Sequence, residues 1–183
     1  MRRKILKSEF FNRNSVLVAR DLIGKFLIRK IGNNKVKYKI VETEAYEGFK
    51  DKASHAHIGQ TKRNWPMFES PTTIYVYFTY GIHWMLNISC GKKGHPGAVL
   101  IRGIEGYIGP ARLTKKLKID KNLNGKTLGN KSGLWIESDT HKSIQSLKEK
   151  NIILRTPRIG IDSSGEVWSK KLYRFVLQSS KQD

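Results

Sequence analysis

The chain has 183 residues, 35 Lys or Arg against 15 Asp or Glu, a formal net charge of +20 and a sequence pI of about 10.1. No window approaches roughly 18 apolar residues, and the basic start Met1-Arg2-Arg3-Lys4 leads into no sustained apolar run, so neither a membrane span nor a secretion signal is expected. One cysteine, Cys90, excludes an intramolecular disulfide framework and any multi-cysteine metal site, and a reducing, cytoplasmic compartment fits.

The charge favours a polyanion partner: DNA, RNA or an anionic membrane. It is spread along the chain and not gathered on one amphipathic helix, which argues against the membrane.

In chain order, Ser15 to Gly24 reads as a short helix, with Ser15 or Asn14 to cap it and Gly24 to end it. Lys25 to Ile31 is a predicted strand, and Gly32-Asn33-Asn34 a turn. Val36, Tyr38 and Ile40 then alternate with lysines, and extending that parity puts Glu42, Glu44 and Tyr46 on the same face. Glu47 to Pro71 is broken by glycine and proline and reads as a long loop, of the kind that often carries function. Thr72 to Thr79 is the strongest strand, β-branched or aromatic nearly throughout. Tyr80-Gly81-Ile82 can turn it into a return strand, His83 to Cys90. Ala98 to Arg102 is a further strand, and Pro110 to Leu117 a helix with proline at its first position. Leu123 to Ser132 reads as loop, Leu134 to Glu137 as a short strand, and Ser143 to Lys150 as weak helix or charged loop. Ile152–Leu154, Arg158–Ile161 and Leu172–Leu177 are strand candidates. The expected fold is α+β: one compact domain over residues 1–183, its core about 14–177. It comprises a curved, largely antiparallel sheet, short flanking helices and a protruding β-hairpin.

Chemistry has few places to reside. His55-Ala56-His57 would share a strand face and could hold zinc, but no third ligand has a diagnostic spacing, so no metal is expected. No glycine-rich phosphate loop occurs, and Cys90 carries no nucleophile signature. Glu42 and Glu44 remain, acids among apolar strand residues; one can be a general base tuned by burial and a cation, or both can be strand-end carboxylates of which one pairs with an arginine. Arg102, ending an apolar strand, is a candidate cation. Tyr46, Tyr75, Tyr77 and Trp84 suit either a core or a pocket that stacks a planar ligand. Tyr80, beside a turn glycine, suits a wedge between base pairs.

Together these residues resemble the alkyladenine (3-methyladenine) DNA glycosylases. The marks are Ala19-Arg20-Asp21-Leu22-Ile23-Gly24, Val41-Glu42-Thr43-Glu44-Ala45-Tyr46, Asp51 to His55, Thr61 to Asn64, Met67-Phe68, Tyr75-Val76-Tyr77 through Tyr80-Gly81, Asn87-Ile88-Ser89, Val99 to Arg102, Gly109-Pro110, Pro157 to Ile161 and Arg174-Phe175. The resemblance implies a monofunctional glycosylase that needs no cofactor, acts as a monomer on double-stranded DNA with damaged purines, and leaves an abasic site. It implies that Glu44 activates the attacking water, and that Arg102 and the main-chain carbonyl of Ile159 help to hold that water. Tyr46, His55 and Tyr77 would grip the flipped base, and Asn87 would disfavour guanine. Tyr80 would fill the gap in the duplex, with Ile82, His83, Arg63, Asn64 and Arg112 as further DNA contacts. Glu42 matches no catalytic position.

The chain departs from the family pattern at three places. Ile82 stands where relatives often carry Met; the Glu105–Gly109 stretch is short where some insert a basic loop; Pro71-Thr72-Thr73 replaces a turn containing Pro-Gly. A nucleic-acid-binding module without catalysis and a ribosome-associated basic protein are the competing readings.

Overall fold

One sheet of ten strands, antiparallel at every pairing, organises the computed structural model, which describes residues 3–139 and 151–179. The elements run β1 (Arg3–Ile5), α1 (Ser8–Phe11), α2 (Ser15–Leu22), β2 (Phe26–Ile31), β3 (Asn34–Tyr46), β4 (Ile74–Thr79), β5 (His83–Cys90) and β6 (Gly97–Ile104). They continue with β7 (Tyr107–Ile108), α3 (Pro110–Lys116), β8 (Leu134–Asp139), β9 (Asn151–Thr156), α4 (Glu166–Ser169) and β10 (Arg174–Ser179). This is the α+β class expected from the sequence. The Ser143–Lys150 reading lies outside the described residues.

Local chemistry fixes the helices. The side chain of Asn14 accepts from the backbone N–H of Val16 at 2.8 Å and caps α2. Pro110 opens α3 where its missing N–H costs nothing, and Leu113 and Leu117 are buried below it. Both helices cover one face of the sheet: Val18, Ala19, Leu22, Leu113 and Leu117 share a core with Ile40, Ala45, Leu86, Ile88, Val99 and Ile101. A smaller cluster of Ala56, Met67, Phe68, Tyr75 and Ala98 lies apart from it, with Tyr77 packed against it.

The order β3-β6-β5-β4 places four strands side by side. On three of them the parity is regular: Ile74 and Val76, Leu86 and Ile88, Val99 and Ile101 enter the main core, so Tyr75, Tyr77, Asn87, Leu100 and Arg102 face the other way.

On β3 the sequence parity fails. Register shifts on either side of Glu42, which pairs with Gly103 between the regular pairs Ile40–Ile104 and Thr43–Ile101. Val36, Tyr38 and Ile40 pack on the main core, and so does Ala45, five residues past Ile40. The hydroxyl of Thr43 donates to the α2 carbonyl of Ala19 at 2.8 Å. Glu44 and Tyr46 therefore lie on the face opposite Val36, Tyr38 and Ile40, not on the same face. The irregularity re-aims the strand, as bulges beside functional sites commonly do.

One further sequence reading is corrected, and the loop reading of residues 47–71 holds at His55 and His57. Arg158–Ile161 is loop: Gly160 takes φ +74° and Arg158 is held inward by polar bonds, so the apolar alternation there does not make a ladder. His55 and His57 sit in turns, where residues two apart share no face; His57 faces outward with Nδ1 2.8 Å from the Phe49 carbonyl.

Candidate active site

The four central strands, the loop after β3 and the loop after β9 enclose a cavity of about 280 Å³. Tyr46, His55, Tyr77, Asn87, Arg102 and Ile159 all line it. With Tyr80, also in its lining, the fold brings to one place seven site residues named from the sequence.

Glu44 is fully buried beside this cavity. Its Oε1 accepts the backbone N–H of Ile159 at 2.9 Å and its Oε2 accepts the Tyr46 hydroxyl at 3.1 Å. Arg102 Nη1 stands 3.4 Å from Oε1. Burial raises the carboxyl pKa above the usual range, with Glu42 adding to the rise; Arg102, the Ile159 N–H and the Tyr46 hydroxyl pull it back. The result is a carboxylate kept ionisable by three specific partners in a place that favours its neutral form.

Aromatic rings form the opposite wall. His55 meets Tyr77 edge to face at 4.6 Å and places Nδ1 3.0 Å from the Tyr75 hydroxyl. Desolvation, with Arg63 nearby, lowers the His55 pKa to about 4, so its ring is neutral at pH 7. Burial raises Tyr77 to about 12 and Tyr46 well above its ordinary value, so both keep their hydroxyl protons. Asn87 is buried, with its amide nitrogen 3.3 Å from the Tyr75 carbonyl and 3.4 Å from that of Met85.

The model of the methylpurine-DNA glycosylase family matches residues 9–181. The chain belongs to this family. A Clostridium perfringens relative named "Putative 3-methyladenine DNA glycosylase" is 36% identical over 96% of this chain and 97% of its own length. One of the same name from Methanocella arvoryzae is 38% identical over 88% of this chain and 87% of its own. The DNA-3-methyladenine glycosylase of Mus musculus is 33% identical over 96% of this chain and 60% of the mouse protein.

A glycosylase acts on DNA, and the residues read from sequence as DNA contacts divide in two. Tyr80 is 84% exposed at the tip of the β4–β5 hairpin, and Ile82 is 68% exposed beside it. His83 is half-buried, and Arg112 is exposed on α3. Arg63 is also exposed; its guanidinium lies 5.1 Å from the Tyr77 ring centroid and donates to the Phe78 carbonyl. Asn64 differs. It is 1% exposed, and its amide donates to the carbonyls of His55 and Gly59 at 2.8 and 2.9 Å while accepting the Thr61 N–H. Its side chain shapes the loop that carries His55.

Two ionic arrangements were not assigned from the sequence, although it offered Arg102 as a candidate cation for one of the two glutamates. Glu42 is 3% exposed and its Oε1 takes both Arg102 Nε at 3.0 Å and Arg174 Nε at 2.6 Å. Arg158 and Asp51 form an ion pair with both side chains at zero exposure. Strand parity marked Glu42 as buried but could not name its partners; Asp51 and Arg158 are 107 residues apart, and no local pattern couples them.

Proposed function

We propose that the chain flips alkylated purines out of duplex DNA and hydrolyses their N-glycosidic bond with a water activated by Glu44. The observation that carries this reading is the fully buried Glu44 carboxylate beside a tyrosine-lined cavity, with Arg102 within 3.4 Å. Burial raises the pKa of such a base, which strengthens it as a proton acceptor.

A purine alkylated at N3 or N7 carries positive charge, and its bond to the sugar is weakened. As that bond lengthens, its electron pair moves onto the purine, which departs neutral, and positive charge grows on the sugar. Glu44 stabilises that charge and takes a proton from water; the water oxygen bonds to the anomeric carbon, leaving an abasic site. The faces of Tyr46 and Tyr77 favour an electron-poor base by cation–π attraction. Asn87, held by two backbone carbonyls, opposes the exocyclic amine of guanine. Tyr80 enters the gap left in the stack, offsetting part of an unstacking cost of about a few kcal/mol.

No lysine lines the cavity among the described residues, which supports a water nucleophile and a monofunctional enzyme without lyase activity. His55 is neutral and the tyrosines hold their protons, so among the described residues lining the cavity no imidazolium or ammonium acid faces a neutral leaving base. Charged 3- and 7-alkyl purines are therefore the preferred substrates over hypoxanthine or ethenoadenine. The enzyme acts as a monomer, drawn to DNA by its positive field.

The deciding experiment incubates the protein and Glu44→Gln with methylated duplex and separates the released bases. The unmodified protein is expected to release 3-methyladenine, and Glu44→Gln to bind the duplex without release. Equal release by both removes Glu44 as the base. Binding without release by either makes the chain a non-catalytic module. Borohydride treatment of the reaction is expected to trap no protein–DNA adduct; an adduct overturns the assignment of water as nucleophile.

A further inference from the structure

We infer that the buried Arg158–Asp51 pair is a positioning device that holds three separate chain segments in register around Glu44; the inference rests on Glu44 as the base. Arg158 Nη1 donates to the carbonyl of Ala45, the residue between Glu44 and Tyr46, at 2.9 Å. Its Nη2 donates to Asp51 Oδ1, also at 2.9 Å, and the pair is bidentate. The guanidinium carbon lies 4.8 Å from the Tyr46 ring centroid and 5.3 Å from that of Tyr173. Nη2 also reaches the Trp168 carbonyl at 3.4 Å, ahead of β10.

Each partner extends the reach of the other. Asp51 accepts the backbone N–H groups of Glu47 and Ala53 at 3.1 Å each, fixing the turn that leads to His55. Arg158 is the chain neighbour of Ile159, whose N–H binds Glu44 Oε1 at 2.9 Å. One guanidinium thus fastens the end of β3, the start of the His55 loop and the Ile159 segment. A planar fork with five donors suits this task, and an ammonium would not reproduce its geometry. Neither Arg158 nor Asp51 lines the cavity, so the pair acts through Glu44, Tyr46 and Ile159 and does not touch substrate.

The consequence is electrostatic as well as geometric. The charged and titratable groups facing Glu44 are Glu42 and Tyr46 from β3, Arg102 from β6 and Tyr77 from β4. Arg174 of β10 faces Glu42. The Ile159 N–H is one of the three influences that lower the Glu44 pKa. Loosening the Arg158–Asp51 pair frees the Ile159 segment, withdraws that bond and raises the pKa further. A base must be ionised to work, so the acid limb of the rate profile moves to higher pH.

The test compares Asp51→Asn and Arg158→Lys with the unmodified protein in single-turnover release of 7-methylguanine from methylated duplex across a pH series. Thermal unfolding and affinity for a duplex bearing a tetrahydrofuran abasic-site analogue are measured beside it. A misplacement of about 1 Å at a reacting centre costs on the order of 100-fold, so release is expected to slow by about 10- to 100-fold per bound enzyme. The acid limb is expected at higher pH and the duplex affinity unchanged. A purely structural pair would lower the unfolding temperature and the active fraction while leaving the rate per bound enzyme and the limb in place; that result overturns the inference. If Asp51→Asn does not fold, Arg158→Lys, which keeps the buried charge, decides alone. Glu44→Gln run in parallel separates the two readings. Full release by Glu44→Gln removes the base, whereas an inactive Glu44→Gln beside an unaltered Asp51→Asn removes only the positioning role.

Discussion

Arg102 binds Glu42 more closely than it binds Glu44: Nε is 3.0 Å from the first carboxylate and Nη1 is 3.4 Å from the second. Glu42 is thus the anchor that leaves the other edge of the guanidinium free for Glu44. It has a second effect, since its charge raises the Glu44 pKa.

Glu42→Gln is therefore expected to act in two opposite directions. Removing the negative charge lowers the Glu44 pKa, so the acid limb of excision moves to lower pH. Meanwhile Arg102 and Arg174, both mostly buried, lose their shared counter-charge. Breaking a buried pair from one side costs about 3 kcal/mol or more, which denaturant unfolding would register. An unchanged acid limb would mean that Glu42 does not act on Glu44.

Glu44 itself is expected to weaken the fold at neutral pH. Its folded pKa is raised, so folding favours the protonated form. Its stabilising contribution is full below its unfolded value of about 4.5 and is lost as pH rises through the folded value. Glu44→Gln keeps an acceptor for the Ile159 N–H and removes the buried charge. It should therefore raise the unfolding temperature at pH 7, with the gain fading below about pH 4. A variant less stable than the unmodified protein at pH 7 would show that Arg102 needs Glu44 more than burial penalises it.

Much of this architecture was legible because its residues carry strong local signals. The Thr72–Cys90 hairpin follows from a β-branched and aromatic run around a turn glycine, and α3 follows from Pro110 with Leu113 and Leu117. The face of Glu44 was not legible. The irregularity at Glu42 involves two strands at once, since Glu42 opposes Gly103 of β6, where an added Cβ would stand 3.0 Å from that of Glu42, so parity read from β3 alone gave the wrong side. Ile159 and Ile161 imitate a strand, yet Ile159 is 49% exposed and its backbone serves Glu44. Asn64 sits in a polar, basic stretch that reads as surface, and only the closed loop reveals its three backbone partners. Family resemblance supplied candidate roles where periodicity was blind, but not the Asp51–Arg158 pair that ties the segments together.

The rate profile for a positively charged lesion is expected to rise once and then stay level. The rise marks ionisation of Glu44, above the usual carboxylate range. His55 has lost its proton above about 4, and Tyr77 retains its own until about 12, so neither introduces a falling limb in between. Release of 7-methylguanine measured from pH 5 to pH 9 checks this. A falling limb near pH 7 would assign proton donation to a group other than these.

Of the three non-glycine residues with a left-handed backbone among the described residues, Thr72, Tyr80 and Lys118, the first two lie in turns of opposite character and should respond differently to the same substitution. Thr72 has φ +79° and Tyr80 has φ +52°, conformations that cost an L side chain about 1 kcal/mol or more. Thr72 is 7% exposed and its carbonyl accepts the Leu128 N–H, so its strain belongs to the turn that feeds β4. Thr72→Gly is expected to stabilise by about 0.5–1 kcal/mol, the relieved strain exceeding the added freedom of the unfolded chain, with excision unchanged. Tyr80→Gly relieves a similar strain at an exposed tip and should be neutral to stabilising as well. Its cost should appear only with DNA, as weaker binding to lesion-bearing duplex and slower release, because the ring that would replace the flipped base is gone. If Tyr80→Gly instead loses several kcal/mol of stability, the scale of a buried aromatic truncation, the ring is a packing residue and the wedge must be sought in Ile82.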